Sequence, residues 1–294
     1  MRSPIDMRHL VIINPASSRG DTSREESAIR EAFARRKIDF EIVHTERQRH
    51  AADLVRERGP EFEAIIAVGG DGTLHEVVQA LDLDRHRLGL VPRGSGNDFA
   101  WMNGWPANLE ACADRIAAGR EHRIDLGRWD GGRFHTSVGV GFEAQVNYES
   151  YRIKYLRGTA IYLAALARTL SNLGTYPVRL DWGTGQWSGD LLLASIGNGR
   201  RVGGAFFLTP DARNDDGLLD MCFAPRMSLF KLLTILPRTF KGTHLRIPPI
   251  QLVRGQRVML ECDAGFPVHV DGEMAGLNVR RLELRVEPGA LRTF

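Results

Sequence analysis

The sequence predicts two domains, an α/β N-terminal domain built on a parallel sheet and a mainly β sandwich after it. Three observations lead there. Up to about residue 118, short apolar runs alternate with stretches of helical spacing, the pattern of a parallel sheet covered on both faces. Each of those runs ends in a polar or glycine-rich turn. From Ile124 onward the apolar runs are strand-like and are joined by Asp-Gly and Gly-Gly pairs, which favour antiparallel hairpins. The domains are therefore set at 1–124 and 125–294, with the last strand allowed to return to the first domain.

The first strand is Leu10-Val11-Ile12-Ile13, which runs into Asn14-Pro15-Ala16-Ser17-Ser18-Arg19-Gly20. Ser23 with Glu26 makes a capping-box pattern, and Ala28, Ile29, Ala32 and Phe33 give the next helix an apolar face. Phe40 to Val43 forms the second strand and ends at His44-Thr45. A charged helix carrying Ala51, Ala52, Leu54 and Val55 leads to the third, Ala64-Ile65-Ile66-Ala67-Val68. The fourth, Leu88-Gly89-Leu90-Val91, ends in Pro92-Arg93-Gly94-Ser95-Gly96-Asn97-Asp98. A helix over Asn108 to Ala118 closes the domain. In the second half, strands are expected at 124–129, 134–140, 178–182, 191–196, 218–224, 257–262, 268–270 and 282–286.

The third strand breaks into Gly69-Gly70-Asp71-Gly72-Thr73-Leu74-His75-Glu76, and Leu74, Val77, Val78 and Leu81 continue at helical spacing. A strand that turns through glycines into a helix leaves amides unpaired at the helix N-terminus, a favourable seat for phosphate. Glycine permits close approach and positive φ. Asp71 is the odd residue, because an acid beside a phosphate needs a divalent cation or a transferable proton between them. The plainer reading has it capping the helix. Ligands on parallel sheets bind outside the carboxyl ends of the strands. Four such turns share that edge, at 14–20, 45, 69–73 and 94–98.

Composition excludes more than it assigns. The chain has 294 residues, 43% apolar and 26% charged, with a net charge of +3, too small to argue for nucleic acid. Cys112, Cys222 and Cys262 are scattered without a CxxC pair, which fits reduced thiols and neither a disulfide framework nor a zinc site. The N-terminus lacks the apolar core of a signal peptide, and no run of about 18 apolar residues is present, so a soluble cytoplasmic protein is expected. Two apolar helices with basic edges interrupt the β half. One covers 155–173 with Leu156, Ile161, Leu163, Leu166 and Leu170 beside Arg152, Lys154, Arg157 and Arg168. The other covers 227–240 with Leu229, Phe230, Leu232, Leu233, Ile235 and Leu236 beside Lys231, Arg238 and Lys241. Such helices either pack on a sheet or lie on an anionic membrane face.

Two acidic turns remain. In Thr209-Pro210-Asp211-Ala212-Arg213-Asn214-Asp215-Asp216-Gly217-Leu218, carboxylates and free carbonyls together suit a hard cation, or the turn is a solvated hairpin. In His269-Val270-Asp271-Gly272-Glu273, a strand presents two acids at a turn.

Taken in order, these segments resemble the diacylglycerol kinase catalytic-domain family, and within it the soluble bacterial lipid kinases, over nearly the whole chain. The resemblance runs through Asn14-Pro15, Gly69 to Thr73 with Glu76, and Pro92 to Ala100. It continues through Gly139-Val140-Gly141-Phe142-Glu143-Ala144, Asn198-Gly199, Gly203-Gly204, Pro210-Asp211-Ala212 and Asp216-Gly217-Leu218, and closes on Asp271-Gly272-Glu273. The glycine turn is shared with NAD kinases and phosphofructokinases, so it implies that type of N-terminal domain; the ordered set points to lipid kinases.

The resemblance implies transfer of the ATP γ-phosphate to a lipid hydroxyl. By matching positions, Asn14, Pro15, Ala16, Ser17, Ser18, Thr45, the run Gly69 to His75 and Ser95 line the nucleotide site. Ser95 stands where the family usually has Thr and keeps the hydroxyl, and His75 falls at a variable position. Glu273 is the implied proton acceptor, and Asp216 with carbonyls of Arg213 and Leu218 the implied structural Mg²⁺ site. Asp71 is expected to orient a catalytic Mg²⁺, with a role as base left open. Diacylglycerol, phosphatidylglycerol, a sphingoid base and ceramide all remain as acceptors. Peripheral contact at the inner membrane face is expected, and a homodimer is left open. The alternatives are an NAD or sugar-phosphate kinase of the same superfamily and a non-catalytic nucleotide- or lipid-binding regulator.

Overall fold

The computed structural model describes residues 7–17, 22–153, 156, 159–171 and 173–294. Internal packing divides them into two units. One runs to Ile124 and takes back Gly289–Phe294; the other is Asp125–Pro288.

In the first unit, strands β1 (Arg8–Ile13), β2 (Asp39–His44), β3 (Ala64–Gly69) and β4 (Arg87–Pro92) form a parallel sheet in the order β2-β1-β3-β4. Every residue of β3 and β4 is buried, as expected of strands covered on both faces. Helices α1 (Thr22–Arg35), α2 (His50–Arg58), α3 (Asp71–Ala80), α4 (Asp98–Met102) and α5 (Leu109–Ala118) complete the unit. Local chemistry sets their ends. The Asn108 side chain accepts from the amides of Glu110 and Ala111, and Gly119 at φ 60° ends α5. Glu26 pairs with Arg30 at 2.6 Å and His44 at 3.1 Å, while the Ser23 side chain of the expected capping box lies outside the described residues. The short α4 carries too few residues for its spacing to announce it.

The second unit begins with β5 (His122–Trp129), β6 (Gly132–Phe134) and β7 (Ser137–Gly141), followed by α6 (Phe142–Tyr151) and α7 (Thr159–Leu170). Strands β8 (Tyr176–Asp181), β9 (Gln186–Gly197) and β10 (Leu219–Pro225), helix α8 (Leu229–Thr239), and strands β11 (Gln251–Gly255), β12 (Arg257–Val270) and β13 (Glu273–Thr293) follow. The strand order is β11-β10-β9-β7-β12-β13, all antiparallel. The long strands β9 and β12 pair with β7 at one end and with β8 at the other. Phe134, Val138, Val140, Phe223, Phe266 and Val268 lie in a common buried core. A second, smaller cluster joins Phe142 of α6, Leu192 of β9 and Leu232 of α8, with Leu166 and Leu170 of α7 packed against it. Helix α6 was not legible in the sequence because its buried positions include the polar Asn147, which breaks the apolar period. The structure starts α7 at Thr159; Lys154, Tyr155 and Arg157 of the expected basic-edged helix lie outside the described residues, as does Ser18.

All three cysteines are buried and unpaired, and burial pushes the Cys112 thiol up to about 11 and that of Cys222 to about 12. Among the described residues no helix is long and apolar enough to cross a membrane.

The last residues of β13 belong to the first unit. Thr293 pairs with Leu88, and the buried Phe294 ring stacks on His9 at 5.8 Å with the Arg87 guanidinium 5.0 Å above it. Glu121 Oε2 ties this end down, accepting from Arg87 at 2.7 Å and Arg292 at 2.9 Å. Arg292, then Arg87, holds the Glu121 carboxyl below the usual range against the opposing effect of burial. A depressed folded-state pKa stabilises the protein above the unfolded pKa, and that contribution disappears as the pH falls through the folded value. Glu121→Gln is therefore expected to lower stability by about 2 kcal/mol near neutral pH. In urea melts the gap from the parent should close on acidification. A gap that persists unchanged at acid pH would mean that the ion pairs contribute little.

Candidate active site

The carboxyl ends of the four parallel strands are flush. Ile13 pairs with both His44 and Val68, and Gly69 pairs with Pro92, so the turns that follow share one edge. Backbone bonds stitch them together. The Asn14 amide donates to Val68 at 3.0 Å, the Thr45 amide to Ile13 at 2.9 Å and the Arg93 amide to Gly69 at 2.8 Å. Asn14 is the hub of the first turn. Its Nδ2 donates to Thr73 Oγ1 at 2.8 Å, its Oδ1 accepts the Ala16 amide at 3.0 Å, and its carbonyl accepts Ser17 Oγ at 2.7 Å. Pro15–Ser17 form a single 3₁₀ turn.

Helix α3 has Gly70 at its N-cap, so Asp71 is its first residue. The first bond of the helix runs from the Leu74 amide to the Gly70 carbonyl at 3.1 Å. The amides of Gly72 and Thr73 are left without an acceptor among the described residues, and the helix dipole adds to their pull on an anion. Leu74 differs from its neighbours: its side chain is buried and its amide is spent within the helix, so neither faces a ligand. His75 is half-buried beside Gln79, with 3.5 Å between their Nε2 atoms. The Glu76 carboxylate accepts the amides of Arg49 at 2.8 Å and Ala51 at 3.1 Å, closing the start of α2.

Two of the glycines serve the protein's own packing. A Cβ at Gly70 would lie 2.9 Å from the Gly94 Cα, and one at Gly69 would lie 2.5 Å from Thr73 Oγ1. A side chain at position 70 would push the β4 turn away before it reached any ligand. That second turn is shaped by Asn97, at φ 51°, whose side chain bonds the Gly94 amide at 2.9 Å and carbonyl at 2.8 Å. Ser95 between them is exposed, and Asp98, opening α4, is buried.

In the second unit, Val270 pairs with Glu273 across a two-residue turn formed by Asp271 at φ 50° and Gly272 at φ 87°. Both residues are left-handed, which is the twist that antiparallel strands require and the reason for an Asp-Gly pair. Asp271 is an anchor. Its Oδ1 accepts the amides of Thr136 at 2.8 Å and Ser137 at 3.1 Å, and its Oδ2 accepts that of His135 at 3.0 Å. The Gly272 carbonyl accepts Asn147 Nδ2 and Tyr151 Oη of α6, both at 2.7 Å, and its amide faces His269 Nδ1 at 3.4 Å. Glu143 Oε1 lies 3.2 Å from the other ring nitrogen of His269. The next residue along is Glu273, half-buried, whose carboxylate makes no hydrogen bond or ion pair among the described residues. A rigid turn thus carries an uncommitted carboxylate. None of the supporting residues in α6 and β7 was assigned from the sequence, since they lie up to 136 positions from Asp271.

The second acidic turn is differently occupied. Asp216 Oδ2 pairs with Arg254 of β11 at 2.6 Å, and Oδ1 faces the Leu218 amide at 3.2 Å. Arg254 also takes both oxygens of buried Asp220 at 3.1 and 3.2 Å, while burial pushes the Asp220 carboxyl up. The Arg213 guanidinium pairs with Asp215. The set Arg213, Asp216 and Leu218 therefore does not fit a metal in this arrangement, because a guanidinium already neutralises its one carboxylate. The partner arrives from 38 residues away, where local sequence gives no warning.

A family profile described as the diacylglycerol kinase catalytic domain matches residues 8–129, and one described as the YegS C-terminal NAD kinase beta sandwich-like domain matches 136–294. The chain belongs to the diacylglycerol kinase catalytic-domain family. Among its relatives is a diacylglycerol kinase of Mycobacterium tuberculosis, 37% identical over 72% of this chain and 71% of the relative. A Pseudomonas aeruginosa protein named as a YegS-like lipid kinase is 37% identical over 79% of this chain and 76% of its own. A solved structure from Bacillus anthracis, assigned as a diacylglycerol kinase, superposes with a TM-score of 0.81 at 25% identity, covering 98% of this chain and 97% of that one.

Two outcomes test this lipid kinase's second unit. Asp271→Ala strips three buried amides of their acceptor and should cost about 3 kcal/mol in denaturant melts; a near-neutral result would remove its anchoring role. For Asp216, melting curves without nucleotide should coincide in Mg²⁺ and in chelator. A Mg²⁺-dependent rise that vanishes in Asp216→Ala would restore a metal to this turn.

Proposed function

We propose that this lipid kinase transfers the γ-phosphoryl group of ATP to the free hydroxyl of diacylglycerol or a closely related lipid, with Glu273 taking the hydroxyl proton. The observation that carries the reading is the uncommitted Glu273 carboxylate on a turn whose Asp271 carboxylate and Gly272 amide and carbonyl are engaged. The names borne by the relatives support a lipid acceptor over NAD or a sugar phosphate, and over a non-catalytic regulator.

In this reading the nucleotide site draws on Asn14, Pro15, Ala16, Ser17, Thr45, Gly69 to Thr73, His75 and Ser95, with Ser18 beyond the described residues. The Gly72 and Thr73 amides are available to phosphate oxygens, where preorganised donors offset the charge of the transition state. Mg²⁺ carried with ATP would supply further charge neutralisation, and Asp71 would be the carboxylate that faces it. Phosphoryl transfer asks mainly for positioning. The lipid oxygen bonds to the γ-phosphorus, the bond from phosphorus to the β-γ bridging oxygen breaks, ADP leaves, and the hydroxyl proton passes to Glu273. The enzyme would work from the cytoplasmic side in peripheral contact with the inner face of the membrane.

Labelled ATP with a panel of lipids in mixed micelles tests the substrate class, and NAD in the same assay tests the rival. Glu273→Gln should keep nucleotide affinity and melting temperature while turnover falls roughly 10²–10⁴-fold, the loss expected for a positioned base. Asp71→Asn should alter the Mg²⁺ requirement together with the rate. Near-parental turnover in Glu273→Gln would move the base elsewhere, with Asp71 the first to examine.

A further inference from the structure

Helix α8 is buried on one side only. Leu232, Ile235 and Thr239 seat it on the second unit. Its opposite side exposes large apolar groups: Phe230 is 80% exposed, Leu229 45%, Leu233 47% and Phe240, just past the helix, 40%. At about 100° per residue these four, with exposed Pro237, fall within one sector of roughly 100°. Isolated exposed apolar side chains are ordinary, but a continuous stripe of two Phe and two Leu is not.

Charge specifies what covers it. Between Asp220 and Glu261 lie forty residues with seven Lys or Arg and no Asp or Glu. Arg254 and Arg257 are paired within the fold. Arg226, Lys231, Arg238, Lys241 and Arg246 make no ion pair among the described residues. Lys231, Arg238 and Lys241 border the apolar sector along the edge away from the buried face. A second copy of the same face would bring unneutralised cations together. A protein core would bury them without partners. An anionic bilayer takes both features, apolar groups below the headgroups and cations among them. Helix α7 lacks the combination: Leu163 is its one large apolar side chain among the described residues with high exposure, and Arg168 lies 3.9 Å from Glu149.

We infer that α8 is the membrane-docking surface, with Leu229, Phe230, Leu233 and Phe240 entering an anionic lipid surface under the hold of Lys231, Arg238 and Lys241. This deepens the lipid-kinase reading, since it brings the enzyme to the phase that holds its acceptor. Docking also has a route to the chemistry within one unit. The small cluster beneath α8 includes Phe142, the first residue of α6, and α6 supplies the two side chains that grip the Gly272 carbonyl beside Glu273.

The test uses the full chain, without nucleotide, and vesicles of phosphatidylcholine with or without phosphatidylglycerol. The parent should sediment with the anionic vesicles, poorly with neutral ones, and less as salt rises. Lys231→Gln with Lys241→Gln should weaken partition about 30-fold, from about 1 kcal/mol per cation near such a surface. Phe230→Ser with Leu233→Ser should weaken it at least tenfold, while Leu163→Ser on α7 should not. All three variants should keep the parental melting temperature and the parental turnover on a short-chain diacylglycerol in free solution. Equal sedimentation of the parent with both vesicle types, or of the α8 variants with the parent, would overturn the inference. So would a change in oligomeric state in Phe230→Ser with Leu233→Ser, which would give the face to a second copy. Absence of turnover by the parent on the soluble lipid would count against the kinase reading alone, since the vesicle measurement does not depend on catalysis.

Discussion

The second unit is organised around one buried carboxylate. Asp271 gathers three successive amides, those of His135, Thr136 and Ser137, and its own amide returns to the Ser137 carbonyl at 2.8 Å. A carboxylate has enough lone pairs for all three, whereas a backbone carbonyl could not serve them at once. The bonds fasten the β12–β13 turn to the start of β7, and β7 leads directly into α6. From α6, Asn147 and Tyr151 reach back to Gly272. The loop of contacts closes on itself and leaves the neighbouring Glu273 carboxylate outside it. Two carboxylates two residues apart thus have opposite fates: one is consumed by structure, the other is kept available.

The first unit reaches a similar end by different means. Its turns are held by backbone bonds between flush strand ends, and by glycines that let Gly70 and Gly94 meet backbone to backbone. Rigid turns leave the Gly72 and Thr73 amides fixed in direction, which is what electrostatic stabilisation of a phosphate requires. The glycine pattern is therefore a packing requirement first. The open Gly72 and Thr73 amides follow from the geometry that the packing enforces.

Arg254 shows how an acidic turn can mislead. Asp216 and Asp220 lie near each other and would repel if left alone, so some cation has to accompany them. The fold supplies a guanidinium from the neighbouring strand. The same reasoning runs in reverse at α8, where cations that make no ion pair among the described residues suit an anionic surface supplied from outside.

The sequence by itself determined the two-part architecture, because apolar periods of two and of about 3.6 residues are local properties. It also determined the glycine turn that opens α3, since Gly69 to Thr73 and Leu74, Val77 and Val78 lie within a few residues of one another, and the Asp-Gly hairpin that precedes Glu273 for the same reason. What the tertiary structure decided is partnership over long separations. Helix α6 was hidden by the buried polar Asn147, whose purpose is a carbonyl 125 residues away. Leu74 turned inward because the sheet lies on that side of α3. Asp216 met Arg254 only through the pairing of β10 with β11, and Asp271 met its amides only through the pairing of β12 with β7. A local pattern fixes which way a segment curls and which face is apolar; whether a charged group is spent or left available depends on what distant strands bring beside it.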